Sequence, residues 1–244
     1  MKKIVVIPAR LASTRLPQKL LLDLGGKSVI QRVFDQCKLA TKIDDVYIAV
    51  DHLTLKNHCL SFTDNVSMTS AENKSGTDRI AEAVTKIECD VVINVQGDEP
   101  LIDPNLIDQL SESFNNSSVK MCSAMVKITD NAEITDPNTV KVITDINNNA
   151  IYFSRLPIPY NRDSQANTTD SNYFKHIGIY AYTNSFISAF YKMNPSKYEQ
   201  IEKLEQLRVL ENGYSIKMIE TNHNAVGIDT IEDYNAVKIK FTDN

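Results

Sequence analysis

Up to about residue 118, short apolar runs alternate with segments in which apolar positions recur at helical spacing. The runs are rich in β-branched residues and show no polar alternation, which is typical of strands buried on both faces. Helices are predicted to begin near Ser28, Ser75 and Asp103. This alternation predicts an α/β domain with a mostly parallel sheet and helices on both faces. The predicted strands of this half are residues 3–8, 46–50 and 90–95.

Beyond residue 118 the pattern becomes richer in strands, which are separated by polar turns containing Asn and Asp. The predicted strands are residues 121–128, 140–144, 150–154, 174–183 and 215–220, with a long loop at 156–172. The predicted helices are residues 185–192, residues 196–212 with a capping box of Ser196 and Glu199, and a last helix from about Thr230. We interpret residues 1–244 as a single domain that contains a β-rich insertion at about 119–183.

Composition and charge exclude several classes of protein. The chain carries 26 Lys+Arg against 31 Asp+Glu, a net charge of −5, which disfavours non-specific binding of DNA or RNA. Its 7 glycines form no G-x-G-x-x-G or P-loop pattern, and its 4 cysteines are too widely spaced for a zinc site. No apolar run has the length of a signal peptide or a membrane span. We therefore expect a cytoplasmic protein that binds neither nucleic acid nor membrane.

A cationic segment directly follows the first predicted strand. Arg10, Arg15 and Lys19 fall close together, and no acid occurs before Asp23. Ligands bind at the carboxyl ends of the strands in open parallel sheets, and Arg and Lys are the side chains that recognise phosphate. The alternatives are a polyphosphate-binding loop and a solvated basic loop, and the position after the strand favours phosphate.

Two other segments carry carboxylates. Asp98 and Glu99 follow the strand at 90–95, where they either hold a hard cation such as Mg²⁺ or face water in a turn. Asp229 precedes the last helix, where capping of that helix is the plainer interpretation. A metal role for Asp229 requires that it lie beside Asp98 in the folded chain.

A fourth set of polar residues is dispersed over the second half of the chain. Its arginines and histidine suit a carboxylate ligand, and its acid and amide suit sugar hydroxyls. Taken singly, each residue is also explained by a surface ion pair or an internal polar contact. The set consists of Arg155, Arg162, His176, Tyr180, Glu205 and Gln206.

Taken together, these segments resemble the 3-deoxy-manno-octulosonate cytidylyltransferase (CMP-KDO synthetase) family. The first of them alone would indicate only the wider class of sugar nucleotidyltransferases. In chain order the matching segments are residues 7–19 (IPARLASTRLPQK), 68–79 (MTSAENKSGTDR), 92–100 (VINVQGDEP), 138–142 (NTVKV), 151–159 (IYFSRLPIP), 176–182 (HIGIYAY), 202–210 (EKLEQLRVL) and 227–233 (GIDTIED).

The resemblance implies a Rossmann-like nucleotidyltransferase fold, with the β-rich region forming a homodimer. It implies transfer of CMP from CTP to the anomeric hydroxyl of 3-deoxy-D-manno-octulosonate (KDO), with Mg²⁺ as cofactor, in lipopolysaccharide synthesis. The implied roles are triphosphate binding by Arg10, Arg15 and Lys19, cytosine binding by Ser75 and Gly76, metal binding by Asp98 and Asp229, and sugar-acid binding by Gln96, Arg155, Arg162, His176, Tyr180, Glu205 and Gln206. The implied catalytic residues are Arg10, Lys19, Asp98 and Asp229.

The chain departs from the family pattern at three positions. Leu11, Gln18 and Leu20 stand where an aromatic residue, a glycine and a proline are usual, and Gln18 adds bulk beside Lys19. A cytidylyltransferase for another sugar acid, such as 8-amino-KDO or N-acylneuraminate, would use the same nucleotide and metal loops. A catalytically silent nucleotide-binding module is the alternative from another class, because fold alone does not determine function.

Overall fold

The computed structural model describes residues 1–13, 15–162, 173–224 and 226–242. The strands of this part are β1 (Lys3–Ala9), β2 (Asp45–Val50), β3 (Val66–Met68), β4 (Val91–Asn94), β5 (Met121–Lys127), β6 (Lys141–Thr144), β7 (Ala150–Ser154), β8 (Phe174–Thr183) and β9 (Lys217–Glu220). The helices are α1 (Val29–Cys37), α2 (Leu53–Cys59), α3 (Gly76–Ala83), α4 (Pro104–Ser113), α5 (Asn131–Thr135), α6 (Asn184–Phe190), α7 (Lys197–Glu202), α8 (Leu207–Glu211) and α9 (Ile231–Thr242).

The strands form one sheet in the order β3-β2-β1-β4-β8-β5-β9, with β4 at its middle. The first four strands in this order run parallel to one another. Strand β8 is antiparallel to both β4 and β5, and β9 is parallel to β5. The predicted α/β class with a mostly parallel central sheet is therefore confirmed.

Helices cover both faces of this sheet because the residues of its strands alternate between two apolar cores. In β1, Val5 and Ile7 pack in the core that contains α1, α4 and α9. Ile4 and Val6 pack in the other core, with α3, α6 and α8. Because both cores exclude water, β1 is apolar at successive positions. The predicted placement of helices on both faces of the sheet is confirmed. None of the helices in the described ranges has the length and apolar character needed to cross a membrane.

The β-rich region at about 119–183 is joined to the central sheet. The first and last strands of this region along the chain, β5 and β8, pair with each other over most of their length, and β8 also pairs with β4. The β6–β7 hairpin lies off the main strand order and pairs with the beginning of β8. The region therefore extends the central sheet, and its role in forming a dimer stays a prediction. The predicted loop at 156–172 falls partly outside the described residues.

The predicted helix at 196–212 is wrong, because the structure divides it into α7 and α8. The capping box of Ser196 and Glu199 is present at its start. Lys203 then adopts a left-handed conformation with φ of 56° and ends α7, and Leu204 turns into the core with 6% exposure. This break in the helix sets the positions of the two residues that follow it, Glu205 and Gln206.

Candidate active site

Three segments pack together at the carboxyl edge of the parallel strands. A Cβ atom on Gly97, after β4, would lie only 3.0 Å from the Pro8 carbonyl oxygen and 3.3 Å from Ile30 Cδ1. A Cβ atom on Gly76, at the start of α3, would lie 3.3 Å from Pro8 Cγ. These approaches leave almost no room for side chains, so glycine at both positions allows the loops after β1 and β4 to meet the start of α3.

A cavity of about 260 Å³ lies between these segments. We call residues 10–13 the phosphate loop and residues 69–76 the base loop, after their predicted ligands. The cavity brings together seven of the predicted site residues, which are Arg10, Lys19, Ser75, Gly76, Gln96, Asp98 and Asp229. Side chains from distant parts of the sequence thus meet in one place, at the edge of the sheet where ligands of such folds bind.

Lys19 lies at the centre of the charged groups in this cavity. Its Nζ donates to the Asp98 carboxylate, to the Ile228 carbonyl oxygen at 2.8 Å and to Asp229 Oδ1 at 2.9 Å. Arg15 forms a second ion pair with Asp229, at 2.9 Å. Burial alone would lower the pKa of Lys19, but the two adjacent carboxylates raise it above its ordinary value. The ammonium group is therefore charged at neutral pH.

The carboxylate of Asp229 is not used to cap the last helix, because Thr230 and Asp233 do so, and it is therefore available to contact groups in the cavity. Thr230 and Asp233 form reciprocal hydrogen bonds at the start of α9, at 2.9 and 3.2 Å. The Ile228 amide donates to the Asp98 carbonyl oxygen at 2.9 Å and so joins the segment before α9 to the loop after β4. These contacts hold Asp98 and Asp229 beside each other, which is the condition that a shared metal site requires.

The oxygen atoms around Lys19 Nζ suit a hard divalent cation. Mg²⁺ is commonly held by one or two protein carboxylates together with waters and substrate phosphates. Within the described ranges, no third Asp, Glu, His or Cys side chain joins Asp98 and Asp229 in a cluster. The remaining ligands of such a cation would therefore be phosphate and water oxygens. The metal itself stays a prediction.

Glu205 reaches the beginning of α3 from the break between α7 and α8. Ser75 caps α3 through a capping box with Asp78, and its hydroxyl also donates to Glu205 Oε1 at 3.3 Å. Thr77 donates to Glu205 Oε2 at 2.8 Å. Burial raises the pKa of Glu205, although the hydrogen bond from Thr77 opposes this. Glu205 thus connects the base loop to the half of the chain that carries the predicted sugar-acid residues.

A second cavity, of about 370 Å³, is lined by His176, Tyr180 and Gln206 among the predicted sugar-acid residues. The ring nitrogen Nε2 of His176 lies 2.9 Å from the Ser123 hydroxyl, and its ring packs against Phe153 at 5.1 Å between centroids. Burial lowers the pKa of His176 to about 3. The imidazole is therefore neutral at physiological pH and is able to bind a carboxylate only through a hydrogen bond.

The two predicted sugar-acid arginines lie on the walls of neither cavity. Arg155 donates to the carbonyl oxygens of Glu202 at 2.7 Å and of Pro137 at 2.8 Å. The Arg155 guanidinium therefore stabilises the end of α7. Arg162 is exposed at the end of a described range. The structure does not bring these two residues to the other candidates, and their role in binding a sugar acid stays a prediction.

Sequence reasoning missed several residues that line or support the first cavity. Ser13, Asn73, Lys74 and Arg79 line it, and Asp51 forms an ion pair with Arg79. A signal for Arg79 is present in the sequence, because it falls four residues before a buried position of α3, on the apolar stripe of the helix. A charged residue at such a position indicates a buried partner.

The departures from the family pattern have local structural explanations. Gln18 has φ of 52°, the left-handed conformation that glycine adopts at least cost, and it precedes the 3₁₀ turn Lys19–Leu21. The Leu20 side chain is buried with 5% exposure and lines the cavity. Leu11 is half-buried, and its amide donates to Asp51. None of the three removes a charged group from the site.

The fold and the site define a nucleotidyltransferase-like α/β protein, with a cationic loop after the first strand and paired carboxylates beside it. The family profile described as cytidylyltransferase matches residues 4–219. The 3-deoxy-manno-octulosonate cytidylyltransferase of Chloroherpeton thalassium is 46% identical, covering 98% of this chain and 97% of its own. The chain belongs to the 3-deoxy-manno-octulosonate cytidylyltransferase family.

Two further proteins are similar over the full length. The 8-amino-3,8-dideoxy-manno-octulosonate cytidylyltransferase of Shewanella pealeana is 44% identical, covering 98% of each chain. A solved CMP:2-keto-3-deoxy-manno-octonic acid synthetase complexed with CTP has a TM-score of 0.93 and 35% identity, covering 100% of this chain and 99% of its own. The predicted family and fold are confirmed by these similarities.

Proposed function

We propose that this protein transfers CMP from CTP to the anomeric hydroxyl of KDO and releases pyrophosphate. The observation that carries the proposal is the meeting of Arg10, Lys19, Asp98 and Asp229 with the start of α3 in one cavity. Full-length similarity to proteins named for this reaction, and to a synthetase complexed with CTP, supports the nucleotide and the class of sugar acid.

The residues of the cavity supply positioning and charge, which is what transfer of a nucleotidyl group from pyrophosphate to a hydroxyl requires. The anomeric hydroxyl would attack the α-phosphorus, and the pyrophosphate would leave toward Arg10, Arg15 and Lys19. These cations would neutralise the charge that develops on the leaving group. Gly76 and the capped Ser75 would receive the cytosine ring at the base loop. No side-chain nucleophile is needed for a direct displacement.

We propose that Asp98 and Asp229 hold Mg²⁺ when the substrates are bound. The ion would polarise the α-phosphate and lower the pKa of the attacking hydroxyl. Lys19 contacts the same two carboxylates in the structure. Lys19 therefore competes with a cation for these oxygens, and a loaded site leaves its ammonium group free to contact phosphate.

We also propose that the protein is a cytoplasmic homodimer. The 4 cysteines are buried free thiols, as is common in a reducing compartment. The β6–β7 hairpin and the segment after it expose large apolar side chains, which favours contact with a second copy. These side chains are Ile146, Ile151, Leu156 and Tyr160.

The test must distinguish KDO from 8-amino-KDO, because relatives of similar identity are named for each of these sugar acids. The test is pyrophosphate release measured for CTP, UTP, ATP and GTP, each combined with KDO, 8-amino-KDO and N-acetylneuraminate. Release only with CTP and KDO is the expected result. Release with another sugar acid would redirect the proposal to that substrate, and CTP binding without release would favour a silent nucleotide-binding module.

A further inference from the structure

An ion pair outside the predicted site connects the end of β2 to the phosphate loop. The Leu11 amide donates to Asp51 Oδ1 at 2.9 Å. The other carboxylate oxygen of Asp51 lies 3.4 Å from Arg79 Nη2. Asp51 therefore holds the phosphate loop on one side and a guanidinium of α3 on the other.

The second arm of the same guanidinium reaches the base loop. Arg79 Nη1 donates to Thr69 Oγ1 at 2.6 Å and to the Ser70 carbonyl oxygen at 3.3 Å. Thr69 in turn donates to the carbonyl oxygen of Val50, the last residue of β2, at 2.9 Å. A single planar side chain thus spans the distance between Asp51 and the start of the base loop.

A second contact fixes the base loop to the same helix. Glu82 Oε2 accepts hydrogen bonds from the Ser70 amide and from Asn73 Nδ2, both at 2.8 Å. Helix α3 therefore holds the base loop through Arg79 and Glu82 together. Only Arg79 also reaches Asp51, and through it the phosphate loop.

Burial shows that this pair differs from an ordinary surface ion pair. The side chain of Arg79 is 4% exposed and that of Asp51 is 12% exposed. Burial lowers the pKa of Arg79, while the Asp51 carboxylate opposes this. A buried pair of charges is weak evidence for stability, because its desolvation offsets its attraction. The pair matters here because it fixes the position of Arg79, which lines the first cavity. Both terminal nitrogens of its guanidinium contact protein partners.

We propose that Asp51 and Arg79 are positioning residues that set the separation of the phosphate loop and the base loop, and so control CTP binding. The inference rests on the proposed function for its choice of nucleotide. Neither side chain needs to touch the reacting atoms. Their effect passes through the Leu11 amide on one side of the cavity and through Thr69 and Ser70 on the other.

The first test measures KM for CTP in Arg79→Lys and Asp51→Asn. Lysine keeps the charge of Arg79 but has one nitrogen, which is unable to span both partners. Asparagine keeps the shape of Asp51 but offers one acceptor oxygen in place of two. Loss of a hydrogen bond to a charged group predicts a rise in KM for CTP of ~10- to 100-fold, with kcat and KM for the sugar acid within about threefold of wild type.

The double variant and a matched control separate positioning from stability. If the two residues act as one unit, Asp51→Asn combined with Arg79→Lys raises KM for CTP no more than the worse single variant. Glu133→Gln is the control, because Glu133 pairs with the mostly buried Lys175 away from the nucleotide cavity. It is expected to lower Tm without changing KM for CTP. Wild-type KM in both single variants with a lowered Tm, or additive effects in the double variant, would overturn the proposal.

Amide hydrogen exchange tests the connection without any nucleotide. Arg79→Lys is expected to speed exchange at the Leu11 amide, which Arg79 does not touch, and Asp51→Asn at residues 69–73. Changes confined to each residue's own contacts would overturn the proposal. A wild-type protein that releases no pyrophosphate from CTP would instead overturn the proposed function, and the exchange result would still decide whether the pair joins the two loops.

Discussion

Replacing Lys19 by methionine removes the ammonium group that contacts both Asp98 and Asp229. Lys19 is 13% exposed, Asp98 26% and Asp229 46%. Exposed ion pairs contribute about 0–1 kcal/mol, and breaking a fully buried pair costs about 3–5 kcal/mol. Because solvent screens Asp229 in part, we expect the free energy of unfolding to fall by about 2 kcal/mol. For a chain of this size that lowers Tm by about 4–8 °C.

Magnesium is expected to restore the lost stability in this variant. In the variant Asp98 has lost its ion pair with Lys19, and Asp229 keeps its more exposed pair with Arg15, whereas Lys19 competes for both carboxylates in the wild type. A ligand at 100 times its Kd stabilises the folded state by about 2.7 kcal/mol. MgCl₂ should therefore raise the Tm of Lys19→Met by several degrees. The Tm of the wild type should rise by less, because Mg²⁺ must there displace the ion pairs that Lys19 makes with the two carboxylates.

Calorimetric melting with MgCl₂, or with NaCl at matched ionic strength, measures both effects. The control is Lys27→Met, because Lys27 pairs with Asp35 at the surface with 43% and 40% exposure. Its Tm should stay close to wild type in either salt. Pyrophosphate release by Lys19→Met should fall by ~10²- to 10³-fold, as when one charge-stabilising group is lost. A wild-type Tm for Lys19→Met, or equal shifts by MgCl₂ in both proteins, would refute the reasoning.

Three further outcomes are expected. Asp98→Asn should lose kcat by ~10³-fold or more, while calorimetric titration still detects CTP, because the amide keeps the shape but loses the charge for the cation. Burial raises the pKa of Glu99 to about 8, so its protonated form supports the fold below pH 4.5 and this contribution is lost as pH rises through 8. Between pH 4.5 and pH 8 the stability of Glu99→Gln should therefore rise relative to that of the wild type. A difference in Tm between the two proteins that is the same at pH 5 and pH 8 would contradict this. Gln18→Gly should raise the free energy of unfolding by about 1 kcal/mol in urea melts, because Gln18 has φ of 52°; a destabilised variant would show that the side chain is needed.

The strands that are buried on both faces were the most predictable part of the fold. The predicted strand 3–8 lies within β1, and the run at 90–95 contains β4, in which every residue is buried. Such runs are recognisable because both neighbouring layers are apolar, so every residue of the strand is constrained locally. The cationic segment was predictable for a related reason, since Arg10, Arg15 and Lys19 lie close together in the sequence after the first strand.

The break between α7 and α8 was not predictable from periodicity. Residues 196–212 keep helical spacing throughout, but Leu204 is buried in a core built from distant strands and helices. The carbonyl oxygens of Glu202 and Lys203 accept hydrogen bonds from Arg155, 47 and 48 residues away. Contacts of that range override the local preference for helix, and they place Glu205 beside the base loop.

The pair of Asp51 and Arg79 shows the same limit at the site. The two residues are 28 positions apart, and neither belongs to a charge cluster in the sequence. Asp51 alone is explained as a solvated end of a strand, and the position of Arg79 on the apolar stripe of α3 indicates a buried partner without identifying it. Their shared burial becomes evident only when β2 and α3 pack on the same strand β1.

The charge balance of the site reconciles an acidic chain with a polyphosphate ligand. In the structure Lys19 and Arg15 pair with Asp98 and Asp229, so two cations are already matched by two carboxylates. A triphosphate that enters alone would therefore meet two of its three predicted cationic partners already paired with carboxylates. A divalent cation on the two carboxylates would change that balance, because it releases both basic side chains toward phosphate. Nucleotide and cation are then expected to bind with positive coupling, and the net charge of the whole chain has little bearing on affinity.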